Sequence, residues 1–215
     1  MAKRGRPKVL GLPERRREQI LAAATSQFAR RGYDGTDLQV VADRMRAGKG
    51  TVYRYFPTKE ALFFAAADRG MRLLVEATNR DAAAARSPLD RIVRATGAYL
   101  RFYHDRPEFV ELLVQERAEF RDRPRPTYFL HRDANIAPWH DLLRSLMRDG
   151  LIRRMPAERI TDVFNAALYG AIFTNYFEGR RRPPARQARE ILDVLFRGIL
   201  APRGRVHKTR GGRQP

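Results

Sequence analysis

The residues best suited to chemistry in this chain are cationic and hydroxyl-bearing side chains between residues 36 and 60. Lys49, Tyr53 and Arg54 fall within one short predicted helix, roughly residues 49–56. A helix of that length is not stable alone in water, so its polar face calls for a functional explanation. Cations and hydroxyls on a short helix suit hydrogen bonding to phosphates and base edges in the major groove of DNA.

The elements around this helix predict a helix-turn-helix. Thr36 and Gln39 have the spacing of a capping box, which would start the first helix at this point. Apolar residues then recur at helical spacing, and Gly48 is a suitable cap for the second helix. The alternative is an Ala-rich helical hairpin whose basic face is merely solvated.

Two motifs carry a family resemblance. The sequence GTVYRYF at residues 50–56 is followed by TKEALF at residues 58–63. Together with residues 19–33 they resemble the DNA-binding segment of the TetR/AcrR family of bacterial transcriptional regulators, over about residues 14–68. The family's usual turn glycine is replaced by Arg46, so we expect either a wider turn or a new contact of Arg46 with a phosphate.

The resemblance implies an all-α fold of about nine helices. It consists of a three-helix helix-turn-helix head and a helical C-terminal domain for ligand binding and dimerisation. It also implies roles for individual residues in DNA binding. The residues expected to contact the groove are Gln39, Lys49, Thr51, Tyr53 and Arg54, and those expected to contact phosphates are Thr36, Tyr55 and Lys59, with Gly50 and Arg46 completing the predicted DNA-binding set.

Charge points to the same class of partner. The net charge is +19, and the two end segments, 1–13 and 201–215, contain Lys and Arg but no acidic residue. Such an excess favours a polyanionic partner, nucleic acid above all. Arg4 and Arg6, in the sequence RGRP, resemble an AT-hook that lies in the minor groove; the alternative is an unspecific phosphate-binding tail.

Other kinds of chemistry find little support in the sequence. There is no cysteine, which fits a reducing cytoplasm and excludes disulfides and thiolate metal sites. His131 and His140 lie nine residues apart and would point to opposite sides of a helix. We therefore expect no enzyme, no metal and no cofactor. The longest uncharged stretch, 163–177, is shorter than a membrane span of ~20 residues. No apolar stretch follows the charges of the N-terminal segment, so we expect no secretory signal.

Four regions are expected along the chain. Residues 1–13 form a disordered basic arm, residues 14–60 the DNA-binding domain, residues 61–200 the effector-binding and dimerisation domain, and residues 201–215 a basic tail. A helical segment over 127–148 should be kinked or divided at Pro138.

The last two predicted helices favour a homodimer. Residues 163–177 carry no charge on any helix face, so this helix should be buried on both sides. Two such helices from each subunit would form a four-helix bundle. The alternative is that they complete a monomer core. The predicted interface residues are Ala166, Gly170, Thr174, Ile191, Leu195 and Ile199.

The resemblance also implies an effector cavity in the body. Its ligand class is not predictable, and each aromatic could equally be a core residue. The candidate lining residues are Phe102, Phe109, Trp139, Leu143, Asn165 and Tyr169. The sequence thus predicts a dimeric repressor that a small molecule releases from its double-stranded DNA operator. The rival is an architectural DNA-binding protein that needs no effector.

Overall fold

The computed structural model describes residues 12–197, and these form an all-α fold without strands. Arg4, Arg6, Ile199 and the predicted basic tail lie outside the described residues. The ten helices of the described part are α1 (Leu12–Arg31), α2 (Leu38–Arg44), α3 (Lys49–Tyr55), α4 (Lys59–Ala83), α5 (Pro88–Asp105), α6 (Glu108–Glu119), α7 (Thr127–Ala134), α8 (Ala137–Arg148), α9 (Ala157–Phe177) and α10 (Pro184–Arg197).

Local signals set most of the helix ends. Gly32 ends α1 at φ 74, a conformation that glycine adopts without steric cost. The Thr58 side chain accepts a hydrogen bond from the backbone N–H of Ala61 and caps α4. Ser87 caps α5 in the same way, with Pro88 at the first helical position.

The structure shifts two predicted positions and adds one helix to the predicted count. The basic arm was predicted to extend to residue 13, yet α1 begins at Leu12, because proline is tolerated in the first turn of a helix. The segment over 127–148 divides at Asn135, and Pro138 lies within the first turn of α8. The division makes ten helices where about nine were predicted.

The head is built around a single apolar cluster. Ile20 and Phe28 of α1, Val41 of α2 and Val52 of α3 are fully buried in it. Val52 is the one buried residue of α3. It therefore fixes the seven-residue helix to the head, while Tyr53 and Arg54 stay exposed.

The head cluster does not stop at the predicted boundary at residue 60. Phe63 of α4 is fully buried in it, and so is Leu112 of α6. The Gln115 side chain, also on α6, donates a hydrogen bond to the Phe28 carbonyl at 2.9 Å. Helices α4 and α6 thus join the head to the body.

The body has two further clusters. One is centred on α4, α5, α6 and α9, with Met71, Phe102 and Phe109 among its buried residues. The other lies among α5, α8, α9 and α10 and surrounds the fully buried Leu146. The cavity described below lies among α4, α5, α7, α8 and α9.

Candidate DNA-binding surface and ligand cavity

The first helix of the helix-turn-helix starts differently from the prediction. Asp37, not Thr36, is the N-cap of α2, and its carboxylate accepts the backbone N–H of Gln39 at 2.8 Å. Thr36 is 4% exposed and its hydroxyl donates to the Gly32 carbonyl at 2.7 Å. The capping-box prediction is wrong because tertiary packing turns Thr36 inward. Its burial also argues against the predicted phosphate contact.

The turn between α2 and α3 is tight, and it is Arg46 that makes it so. Its backbone has φ 51, and it is the single non-glycine residue with a positive φ among residues 12–197. The Ala47 N–H bonds to the Ala42 carbonyl at 3.0 Å, and the Arg46 N–H to that of Asp43 at 2.9 Å. This is the pairing of a Schellman motif, in which glycine usually holds the left-handed position. The wider turn that we considered does not form.

The polar face of α3 is presented to solvent. Tyr53 is 43% exposed, and Gly50 and Arg54 are also exposed. Thr51 and Tyr55 are half-buried, and Tyr55 packs against the head cluster. Gly48 is the N-cap of α3 as predicted. A short helix with one buried anchor and an exposed polar face has the geometry of a helix that enters a groove.

Several cations around α3 are held by acceptors of the chain itself. The Lys49 ammonium lies 3.2 Å from the Asp37 carboxylate. The Gln39 N–H, together with Lys49, lowers the pKa of that carboxyl, which therefore stays charged. Lys59 donates to the Asp34 carbonyl at 2.9 Å and lies over the Tyr33 ring. DNA binding through these lysines would require them to exchange partners.

The cavity in the body has a volume of about 180 Å³. Of the six residues predicted to line the cavity, Trp139, Leu143 and Asn165 do so. Phe102 and Phe109 do not line it: their rings stack at 5.5 Å inside the body core. Tyr169 does not line it either, because it packs on the Tyr128 ring at 4.8 Å, away from the cavity. Sequence spacing cannot tell which side of a helix faces a void.

Polar groups that the sequence did not single out also line the cavity. The Tyr99 hydroxyl of α5 and the Tyr128 hydroxyl of α7 are 3.0 Å apart. Burial raises the pKa of the Tyr99 hydroxyl well above its ordinary value, so it stays protonated. Thr96 lies one turn before Tyr99 and is 3% exposed. The sequence feature that could have indicated these groups is the spacing of Thr96 and Tyr99, three residues apart on the inner face of a predicted helix.

Hydrogen bonds to two carboxylates fix one wall of the cavity. His131 of α7 lies 2.6 Å from the Asp68 carboxylate of α4. At the start of α7, the buried Glu116 carboxylate accepts hydrogen bonds from the Thr127 N–H at 2.8 Å and from the Arg123 guanidinium at 2.7 Å. Glu116 therefore fixes the N-terminal end of α7, at Thr127, directly before Tyr128 in the cavity wall.

Within residues 12–197 no group of three or more His, Asp or Glu side chains is arranged to hold a metal ion. In the same range, no helix combines the length and apolar character that crossing a membrane requires.

The fold and the head define a helix-turn-helix protein with a helical body. Residues 20–66 match the model of the family described as bacterial regulatory proteins, tetR family. Curated relatives include the HTH-type transcriptional repressor KstR of Mycobacterium tuberculosis, 32% identical over 46% of this chain and 46% of that protein. KstR of Mycolicibacterium smegmatis is 29% identical over 65% of this chain and 63% of that protein. The matches thus span about half to just under two thirds of these relatives.

Solved structures share the fold over most of the chain. FadR of Bacillus subtilis, solved in complex with stearoyl-CoA, has a TM-score of 0.73 at 15% identity and covers 85% of this chain and 99% of its own. The putative transcriptional regulator SCO4942 of Streptomyces coelicolor has a TM-score of 0.63 at 25% identity, over 83% and 97%. Residues 20–66 of this chain thus match the tetR family of bacterial regulatory proteins, and the described chain shares its overall fold with these solved structures.

Proposed function

We propose that the protein is a homodimeric transcriptional repressor that binds operator DNA through α3 and is released by a small molecule in the body cavity. The observation that carries this proposal is the exposed polar face of α3, which the buried Val52 and the half-buried Tyr55 hold on the head. The relatives named as repressors and the acyl-CoA complex of B. subtilis FadR support it. Operator DNA lies in the bacterial cytoplasm, where we propose that the protein works.

Base contacts would come from the exposed side chains of α3. Tyr53 is exposed and contributes nothing to the head core, so its contacts are available to a partner. Lys49 and Arg54 lie on the same short helix. Base contacts specify a sequence, whereas phosphate contacts position the protein. We assign Tyr55, Lys59 and Arg46 to phosphates, because they lie at the ends of the helices that flank the groove-binding face.

The proposed dimer uses a face of α9 that the single chain leaves uncovered. Ala166, Gly170 and Thr174 are exposed and fall on one stripe of the helix. Val163 and Phe177, at the ends of that stripe, are 51% and 67% exposed. An apolar stripe of this length calls for a cover, and a second copy supplies one with the same stripe. On α10, Ile191 and Leu195 are half-buried, and they lie at the edge of the proposed interface.

Coupling between cavity and head would pass through α4 and α6. Helix α4 contributes Met71 and Leu74 to the cavity wall and Phe63 to the head cluster. Helix α6 places Leu112 in the same cluster. A ligand that favours one position of these helices over another would change the separation of the two α3 helices in the dimer. A ligand that binds both positions equally would change nothing.

The test compares two head variants on operator and non-operator DNA. Tyr53→Ala removes an exposed side chain that we assign to base contacts, so it should lower operator affinity more than non-specific affinity. Lys59→Ala should lower both alike, because it acts on phosphate. Fluorescence anisotropy with both DNAs, at several salt concentrations, measures the ratio. The DNA site itself would come from mapping protected sequences across the genome.

The same titrations separate the proposal from its rival. An architectural protein without sequence preference would bind both DNAs with one steep salt dependence. It would also show no change of the ratio in Tyr53→Ala. That outcome, with both variants folded, would contradict the assignment of α3.

A further inference from the structure

We infer that the body cavity is built for an uncharged ligand with an apolar body about the size of one ring and a single hydrogen-bonding oxygen, such as a ketone or alcohol. This inference rests on the proposed effector function of the cavity and specifies the chemistry of its ligand. It comes from the size of the space, from its charges and from three hydroxyl groups in its wall.

The size limits the apolar body. The cavity of about 180 Å³ is somewhat larger than an engineered apolar cavity of about 150 Å³ that binds benzene. Most of its wall is apolar and comes from five helices, with residues such as Leu74, Ile92, Leu143 and Leu168. Burial of a single carbon ring against such a wall is favourable because the hydrophobic gain scales with the apolar area removed from water.

The charges of the wall disfavour a buried anion or cation. The lining includes no acidic residue, and its two basic residues are already engaged. His131 is paired with Asp68 at 2.6 Å, and Arg132 with Asp133 at 2.8 Å. A charge that enters a low-dielectric space without a free partner is costly to bury. The ligand group inside the cavity is therefore uncharged.

The hydroxyl groups of the wall define where the polar group of the ligand would bind. Thr78 and Thr161 also line the cavity, but their hydroxyls donate to carbonyls of their own helices, those of Leu74 and Glu158. The Thr96 hydroxyl also lines the cavity and forms no hydrogen bond with another described residue; its oxygen is reached from the cavity space, since the fully enclosed unpaired side-chain oxygens are those of Gln115 and Glu116. A hydroxyl that faces a largely apolar cavity lacks a protein partner. It gains one when a ligand oxygen or N–H arrives.

The tyrosine pair adds a second donor near Thr96. Two hydroxyls possess two protons, and the 3.0 Å contact between Tyr99 and Tyr128 uses one of them. The other proton remains free to be donated. Thr96 and Tyr99 lie three residues apart on α5 and hence on the same side of the helix. A carbonyl oxygen accepts two hydrogen bonds, so one ketone could satisfy both donors.

The chain itself supplies the probe for a test. Trp139 is the only tryptophan and it lines the cavity, so its fluorescence reports occupancy directly. Three non-aromatic ligands of similar size differ in one group: cyclohexyl methyl ketone, cyclohexanecarboxylate and methylcyclohexane. Free tryptophan at the same ketone concentration corrects for the weak n→π* absorption of the ketone. We expect the ketone to bind the full-length protein most tightly, by roughly fivefold over the hydrocarbon, the usual worth of one net hydrogen bond.

Two threonine variants form a matched pair. Thr96→Val removes the unpaired hydroxyl and keeps the shape of the side chain, so the preference for the ketone should shrink towards the hydrocarbon level. Thr78→Val removes a hydroxyl that is already satisfied by its own helix and should leave the preference unchanged. The double variant Tyr99→Phe, Tyr128→Phe should reduce the preference further, and circular dichroism verifies the fold of each.

Three results would overturn the inference. They are equal or tighter binding of the carboxylate, equal binding of ketone and hydrocarbon in the wild type, or no fluorescence change with any of the three. Operator binding in the presence of the ketone is measured separately. If the ketone binds as expected but DNA affinity does not change, the ligand chemistry stands and the effector role in the proposed function fails.

Discussion

Replacement of Arg46 by glycine should stabilise the protein while it weakens DNA binding. Arg46 holds the left-handed position after α2, at φ 51. That conformation costs an L-residue about 1–2 kcal/mol, whereas glycine adopts it freely. Glycine gives back about 0.5–1 kcal/mol through its greater freedom in the unfolded chain. The net gain in the free energy of unfolding is therefore about 0.5–1 kcal/mol, or a rise in Tm of roughly 1–4 °C for a chain of this length.

Arg46→Ala is the matched control, because it also removes the guanidinium but keeps the strained backbone. Urea unfolding of both variants isolates the backbone effect, since only glycine relieves it. DNA titration isolates the charge: if Arg46 binds a phosphate, both variants should lose the same affinity and reduce the log–log salt slope by about 0.9.

Two outcomes would refute this reasoning about Arg46. Equal stability of the alanine and glycine variants would mean that the positive φ costs nothing in this turn. Loss of DNA affinity in the glycine variant alone would trace the effect to a looser turn and not to a phosphate contact. The native arginine would then have a role in rigidity.

Two further predictions concern glycines in helices. A Cβ at Gly70 would lie 2.3 Å from the Phe109 ring, so Gly70→Ala should lower the free energy of unfolding by about 1–2 kcal/mol. Gly97 lies in open space on α5, so Gly97→Ala should instead raise the free energy of unfolding by up to about 1 kcal/mol. Urea unfolding that ranks the two variants the other way would contradict the packing of α6 on α4. A Cβ at Gly170 meets nothing within 4 Å in the single chain, so Gly170→Leu should fold normally yet sediment as a monomer, whereas Gly170→Ala should remain a dimer; a leucine variant that still dimerises would exclude this stripe of α9 from the interface.

The sequence predicted those parts of the fold that depend on neighbouring residues. The cap at Ser87, the cap at Thr58 and the glycine at residue 32 each act within one turn of the chain, so local patterns sufficed to place the ends of α1, α4 and α5. Thr36 and Asp37 could both cap α2 by type. Thr36 is instead buried, with its hydroxyl on the Gly32 carbonyl at the end of α1, and this leaves the cap to Asp37.

The cavity was predictable only in part, for a related reason. Trp139, Leu143 and Asn165 could be identified as inward-facing residues of the body. The Tyr99–Tyr128 pair joins two residues that are 29 positions apart in sequence and lie on different helices. No local pattern states that two such side chains meet, or that Phe102 and Phe109 stack on each other and so close their side of the core.

The burial of Leu112 in the head cluster has a consequence for protein engineering. Under the proposed function, one could join the head of one such protein, chosen for its operator, to the body of another, chosen for its ligand. If the head were separated from the body directly after the helix-turn-helix, the head cluster would lose Leu112 of α6. The Phe28 carbonyl would also lose its hydrogen bond from the Gln115 side chain. A working hybrid must therefore transplant this patch of α6 together with the head, although the two are separated by about fifty residues of sequence. The boundary between head and body is therefore a packed surface formed by distant segments, and not a single position in the chain.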